Sequence, residues 1–122
     1  EHASYLAACA SIDANLGRLF DALRAGGRLD DTIIVFASDH GSHFRTRNLE
    51  YERSPHDASI RVPLVIAGPG FTGGRRRRDL VTQLDLLPTL VAAAGGDAAD
   101  VDGTSLQGDT GRGDVFVQVS ES

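Results

Sequence analysis

The chain has 122 residues, 41% of them hydrophobic and 24% charged, which suits one compact domain and is too little for two. Its longest apolar runs, near residues 32–37 and 62–67, fall far short of the ~20 residues a bilayer-spanning helix needs, and a single cysteine excludes an internal disulfide. No Cys/His grouping has zinc spacing, and a net charge of −5, with every one of the 12 cations an arginine, argues against nonspecific nucleic-acid binding.

Residues 5–25 read as a helix, because Tyr5, Cys9, Ile12, Leu16, Leu19, Phe20 and Leu23 recur with helical period in one apolar stripe. On that stripe Cys9 is expected to be a buried structural thiol. Gly26 and Gly27 end the helix, and Asp30 with Asp31 forms a polar turn. Residues 32–37 are a continuous, mostly β-branched run. Continuity without alternation predicts a strand buried on both faces, as in a parallel sheet covered by helices. Residues 38–59 are polar and irregular and hold His40, His43 and His56; a structureless stretch of that length is usually functional.

A second strand is predicted at 61–67, confined by Pro63 to an edge or to the strand's first residues. Gly73 and Gly74 open an exposed loop carrying Arg75, Arg76, Arg77 and Arg78. A helix follows at about 88–94, with Pro88 in its first turn and Gly95 at its end. Residues 97–113 read as an Asp/Gly-rich linker, and the alternation of Val115, Val117 and Val119 predicts a last strand at 115–119. The order helix, strand, loop, strand, helix, strand is that of an α/β layered fold, in which ligands gather at the carboxyl ends of strands.

Asp39 and His40 stand at such an end, within Ser-Asp-His-Gly at 38–41. A carboxylate beside an imidazole can face one divalent cation: Asp suits Ca²⁺ or Mg²⁺, and neutral His suits Mn²⁺ or Zn²⁺. Two ligands do not complete a site, since Ca²⁺ takes six or more oxygens. The plainer alternative is that Asp39 caps the turn and His40 is solvated. The four consecutive arginines have no interleaved aromatic residue, and a solvated turn is a better reading than a nucleic-acid or polyanion site.

Four ordered blocks sharpen this: SDHG at 38–41, RVPLVIAGPG at 61–70, LVTQLDLLPTLVAAAG at 80–95 and DGTSL at 102–106. Together they resemble the sulfatase family of the alkaline-phosphatase superfamily. The leading helix and the stretch HFRTRNLEYERSPHDASIRVPL at 43–64 are similar to the same family, in one bacterial branch of it. The resemblance implies an α/β, alkaline-phosphatase-like sandwich, a mostly parallel sheet with flanking helices, of which residues 1–122 are one partial domain toward the C-terminal end. It implies a metal-dependent sulfuric-ester hydrolase acting on a small-molecule sulfate ester. Asp39 and His40 inherit the role of ligands to a divalent metal, most often Ca²⁺, with Mg²⁺, Mn²⁺ or Zn²⁺ as alternatives.

The family's nucleophile is a formylglycine made in a Cys/Ser-x-Pro-x-Arg motif, which this chain lacks; it is expected upstream, in the remainder of the catalytic domain. The resemblance therefore implies that these residues alone are inactive. No nucleic acid and no membrane are expected as partners, and a homo-oligomer is compatible with the pattern. Nothing indicates cytoplasm or periplasm, because the chain opens on Glu1 and reads as a piece of a longer protein. His56 is the candidate catalytic proton donor, against a plain surface-loop histidine. Arg53 and His43 are the candidate substrate-binding residues; His43, like Arg47, can equally belong to a solvated loop face. The family carries a substrate-holding Lys nine residues before the Arg of its Arg-x-Pro motif, and here that position is Glu52 before Arg61, a reversal of charge. Arg53 beside it is a substitute of different reach and geometry. Asp57 and Arg61 are expected to pair. Two other functions stay open: a phosphodiesterase or phosphonate-ester hydrolase of the same superfamily, and a truncated, non-catalytic domain.

Overall fold

Alanine and leucine dominate the opening segment, and it is helical throughout: α1 spans His2–Ala25 and stops before Gly26 and Gly27. The computed structural model describes residues 2–119. A 3-10 turn at Leu29–Asp31 leads into β1 (Ile34–Ala37); a polar loop then carries the short α2 (Asp57–Ile60). β2 (Leu64–Ala67), a second 3-10 turn at Gln83–Asp85 and α3 (Leu86–Ala93) complete the elements. The chain is thus α/β, as expected, with strands shorter than the apolar runs that signal them.

The two strands pair antiparallel, with Ile34 opposite Ala67 and Ala37 opposite Leu64. This corrects the expectation of parallel neighbours for this pair. Pro63 lies one residue before β2, where its missing N–H costs no ladder bond. Burial of β1 on both faces is also not found: Ile34 and Val35 are half-buried, while Phe36 and Ala37 are exposed. Neither α1 nor α3 packs on the strands, so the cover that such a run calls for is not among the described residues.

The same holds for α1, whose stripe residues Tyr5, Ile12 and Leu19 stay about half exposed, and Cys9 is exposed rather than buried. At the start of α1, His2 and Tyr5 place their rings 5.6 and 5.5 Å from that of Phe44. No helix is long and apolar enough to cross a membrane among the described residues. The strand expected at 115–119 is absent as well. β1 and β2 pair with each other, and residues 117–119 run along a cleft instead of joining a sheet edge.

The tightest packing surrounds the second 3-10 turn and α3, and it is polar. Asp85 and Thr89 are fully buried, beside the apolar Leu106. Asp85 accepts hydrogen bonds from the Thr82 N–H at 2.7 Å and the Thr104 N–H at 2.8 Å. Arg112 closes on the same carboxylate with two guanidinium bonds of 2.7 and 2.8 Å. Thr89 donates to the Asp85 carbonyl and accepts from the Leu106 N–H at 2.9 Å. Gly103 has φ of 100° and lies against the Leu84 carbonyl so closely that any Cβ would overlap it. A buried charge needs such complete satisfaction to be tolerated. With the Arg112 guanidinium as the main cause, followed by the two N–H donors, the Asp85 pKa is held down to about 2.

Candidate active site

The β1–β2 ladder delivers the chain into a tight turn just beyond Ala37, and that turn carries Asp39 and His40. Asp39 Oδ1 accepts from the His40 N–H at 2.9 Å, which is the turn-capping role. Its other oxygen, Oδ2, stands 3.7 Å from His40 Nε2, and both side chains are largely exposed, at 85% and 55%. The His40 Nδ1 lies 2.9 Å from the Gly41 carbonyl; a carbonyl only accepts, so Nδ1 carries a proton, and in the neutral ring Nε2 keeps its lone pair. Metal-ligating histidines characteristically donate their second ring nitrogen to a carbonyl in this way.

The structure thus brings the two candidate metal residues together, with Asp39 Oδ2 and His40 Nε2 facing each other, an arrangement compatible with two ligands of one divalent cation. Among the described residues no group of three or more His, Cys, Asp or Glu side chains is placed to hold a metal ion. The electrostatics agree with close coupling of the pair. The His40 N–H bond, then the His40 charge, lowers the Asp39 pKa. The Gly41 carbonyl, then the charges of Asp39 and Glu52, raise that of His40.

Two anchors hold the turn. The Gly41 N–H donates to the Ser59 carbonyl at 2.8 Å, and a Cβ at Gly41 would overlap the Ala58 carbonyl oxygen, so α2 can lie flush on the turn only over glycine. From the other side the Gln83 amide donates to the Ser38 carbonyl at 2.7 Å and to the Asp39 carbonyl.

Beside the turn opens a cleft of about 250 Å³, lined by His40, Glu52, Arg53, Ser54, Ser59 and Ile60, with residues 117–119 as its far wall. It unites His40 with Arg53 and with Glu52. Arg53 also pairs with Glu50 at 3.4 Å. His43 and His56 do not line it. His43 is buried, at 2% exposure, with neither ring nitrogen hydrogen-bonded, so it is not on a solvated face. Backbone strain flanks it, since Phe44 and Arg45 take φ of 50° and 61°, with the Arg45 guanidinium 4.4 Å over the Tyr51 ring. His56 is exposed and precedes α2; its Nδ1 meets the hydroxyl of Ser54, so it reaches the cleft through that residue. Arg47 is exposed. Asp57 and Arg61 pair at 3.2 Å, but from the first residue of α2 to the one just past its end and in solvent, where such a pair contributes little. In the arginine run Arg77 is engaged by Asp79 and by the Leu106 carbonyl, an internal tie.

Gln83, Asp85, Thr89 and Arg112 gave no functional signal in the sequence. The Thr82-x-x-Asp85 spacing is that of a capping box and could have marked the acid; nothing local marks Gln83 or Arg112.

The family model described as Sulfatase matches residues 1–96. The chain is 40% identical over 93 residues to Arylsulfatase K of Bos taurus, covering 76% of this chain and 17% of that protein. It is 39% identical over 107 residues to the Choline-sulfatase of Rhizobium meliloti (strain 1021), covering 84% of this chain and 21% of that one. A solved structure, the phosphonate monoester hydrolase SpPMH from Silicibacter pomeroyi, superposes with a TM-score of 0.71 at 32% identity, over 79% of this chain and 19% of its own. That neighbour has the alkaline-phosphatase-like α/β fold expected from the sequence. The chain spans about a fifth of the length of these relatives. With the family model matched from the start of α1 past the end of α3, and the Ser-Asp-His-Gly turn inside that match, this chain belongs to the sulfatase family.

Proposed function

We propose that this chain is the part of a metal-dependent sulfuric-ester hydrolase that supplies two cation ligands, Asp39 and His40, and one side of the substrate cleft. The observation that carries the reading is the pair of facing atoms, Asp39 Oδ2 and His40 Nε2, 3.7 Å apart on a turn anchored from two sides. Ca²⁺ is the proposed metal, completed by oxygen ligands from the remainder of the catalytic domain. Bound there, it would offset charge on the ester's sulfuryl oxygens. The nucleophile also comes from that remainder, where a formylglycine is proposed.

Within this chain Arg53 supplies positive charge to the cleft, and His56, through Ser54, is the proposed proton donor to the leaving alkoxide. His43, buried beside strained backbone, supports the loop rather than the ester. Glu52 lines the same cleft and repels anions. It favours esters whose alcohol portion is neutral or cationic over those bearing further negative charge. The relative named a choline-sulfatase is in keeping with that preference.

A second reading, hydrolysis of a phosphonate monoester or phosphodiester, draws on the printed activity of the structural neighbour. Both are tested on the full-length protein with a chromogenic aryl sulfate and an aryl phosphonate monoester, with and without added Ca²⁺. Calcium-dependent cleavage of the sulfate is expected, and Asp39→Ala or His40→Ala should reduce it by more than about a hundredfold, since losing even a ligand's hydrogen-bond partner costs ~10- to 100-fold. Preferential cleavage of the phosphonate favours the second reading. Turnover of neither substrate favours a non-catalytic domain.

A further inference from the structure

We propose that Gln83 is a positioning residue for the metal-bearing turn, acting on Asp39 and His40 from 44 residues away through their backbone. The inference rests on the metal reading above and assigns a role to a residue outside it. The ladder ends at Ala37, so the Ser38 and Asp39 carbonyls lie beyond the last strand pairing. The Gln83 amide nitrogen donates to both of them. One planar amide thereby fixes two successive peptide units, and with them the direction in which the Asp39 and His40 side chains leave the chain. The Ser38 hydroxyl continues the hold by donating to the His40 carbonyl at 2.8 Å.

Gln83 is itself immobilised by its neighbours. It opens the 3-10 turn whose last residue, Asp85, is gripped by the Thr82 and Thr104 N–H groups and by the Arg112 guanidinium. The buried carboxylate thus serves as the fixed point from which an exposed amide reaches across to the turn. Neither Glu nor Ala can replace it: the first presents an acceptor to two acceptors, and the second presents nothing.

The test uses the full-length protein and two variants, Gln83→Ala and Gln83→Glu. The Gly41 amide exchange rate is measured in calcium-free protein, and affinity for Ca²⁺ alone by titration calorimetry. Both variants are expected to speed Gly41 exchange and to weaken Ca²⁺ binding, each by roughly three- to tenfold, the scale of one or two net hydrogen bonds. The melting temperature of the calcium-free protein should change little, because Gln83 is exposed. Wild-type exchange in both variants overturns the inference, as does wild-type Ca²⁺ affinity in both while Asp39→Ala abolishes binding. Should Asp39→Ala leave Ca²⁺ affinity intact, the metal reading fails on its own. Gly41 exchange alone then decides on Gln83: acceleration upholds the tether, and no change overturns it.

Discussion

Asp85 shows how one side chain can govern a region. It is fully buried, accepts from two backbone N–H groups and pairs bidentately with Arg112. Asp85→Asn is expected to destabilise the protein by about 3 kcal/mol, because the guanidinium and one N–H lose their acceptor; urea unfolding of the full-length protein measures it. The sign of the pH effect follows from the lowered pKa. With the folded-state value at about 2 and the ordinary value at 3.8, stabilisation is complete above the ordinary value and is lost as pH falls toward about 2. The loss amounts to about 2 kcal/mol. The wild type should therefore lose stability over that acid window, and Asp85→Asn should show a flatter profile. At this scale the sequence was uneven to read. Asp39 and His40 announce themselves by adjacency after an apolar run, whereas Arg112 lies in an Asp/Gly-rich stretch 27 residues from its partner.

Elements depend on close approaches as much as on periodicity. α2 rests on the Asp39–His40 turn only because position 41 has no side chain, so Gly41→Ala must move α2, the turn or both. A cost of about 1–3 kcal/mol is expected, the usual range for overpacking, together with weaker Ca²⁺ binding in calorimetry of the full-length protein. Helices were the most legible elements: the stripe from Tyr5 to Leu23 and Pro88 in a first turn carry their own geometry. The strands were legible in existence and not in pairing, because an apolar run records the burial it was selected for and not its partner's direction. Val115, Val117 and Val119 alternate as a strand does, yet the segment joins neither open edge of the two-stranded sheet and lies irregular along the cleft. The loop itself was legible from its length and polarity, while its internal order was not: His43 is buried and His56, two residues after Ser54, reaches the cleft through that hydroxyl.

For the whole molecule, the exposed stripe of α1 and the open faces of β1 call for apolar cover, which the rest of the proposed catalytic domain would provide. Cys9 lies on that stripe and reports on it. Its thiol should react with a soluble disulfide reagent rapidly in the isolated 122 residues and at least about tenfold more slowly in the native full-length protein. Equal rates would show that the stripe faces solvent in both. The isolated chain is also expected to show no turnover of a chromogenic aryl sulfate, since it lacks the Cys/Ser-x-Pro-x-Arg motif and, among the described residues, no three acidic, His or Cys side chains gather as a calcium site requires. The grip of Arg112 on Asp85 has one more effect at this scale. The far wall of the cleft, residues 117–119, hangs on a short leash moored five residues earlier by a single guanidinium. Lengthening or shortening that leash would resize the cleft without disturbing a strand, a helix or the Asp39–His40 turn, so the cleft's dimensions can drift while its scaffold stays put.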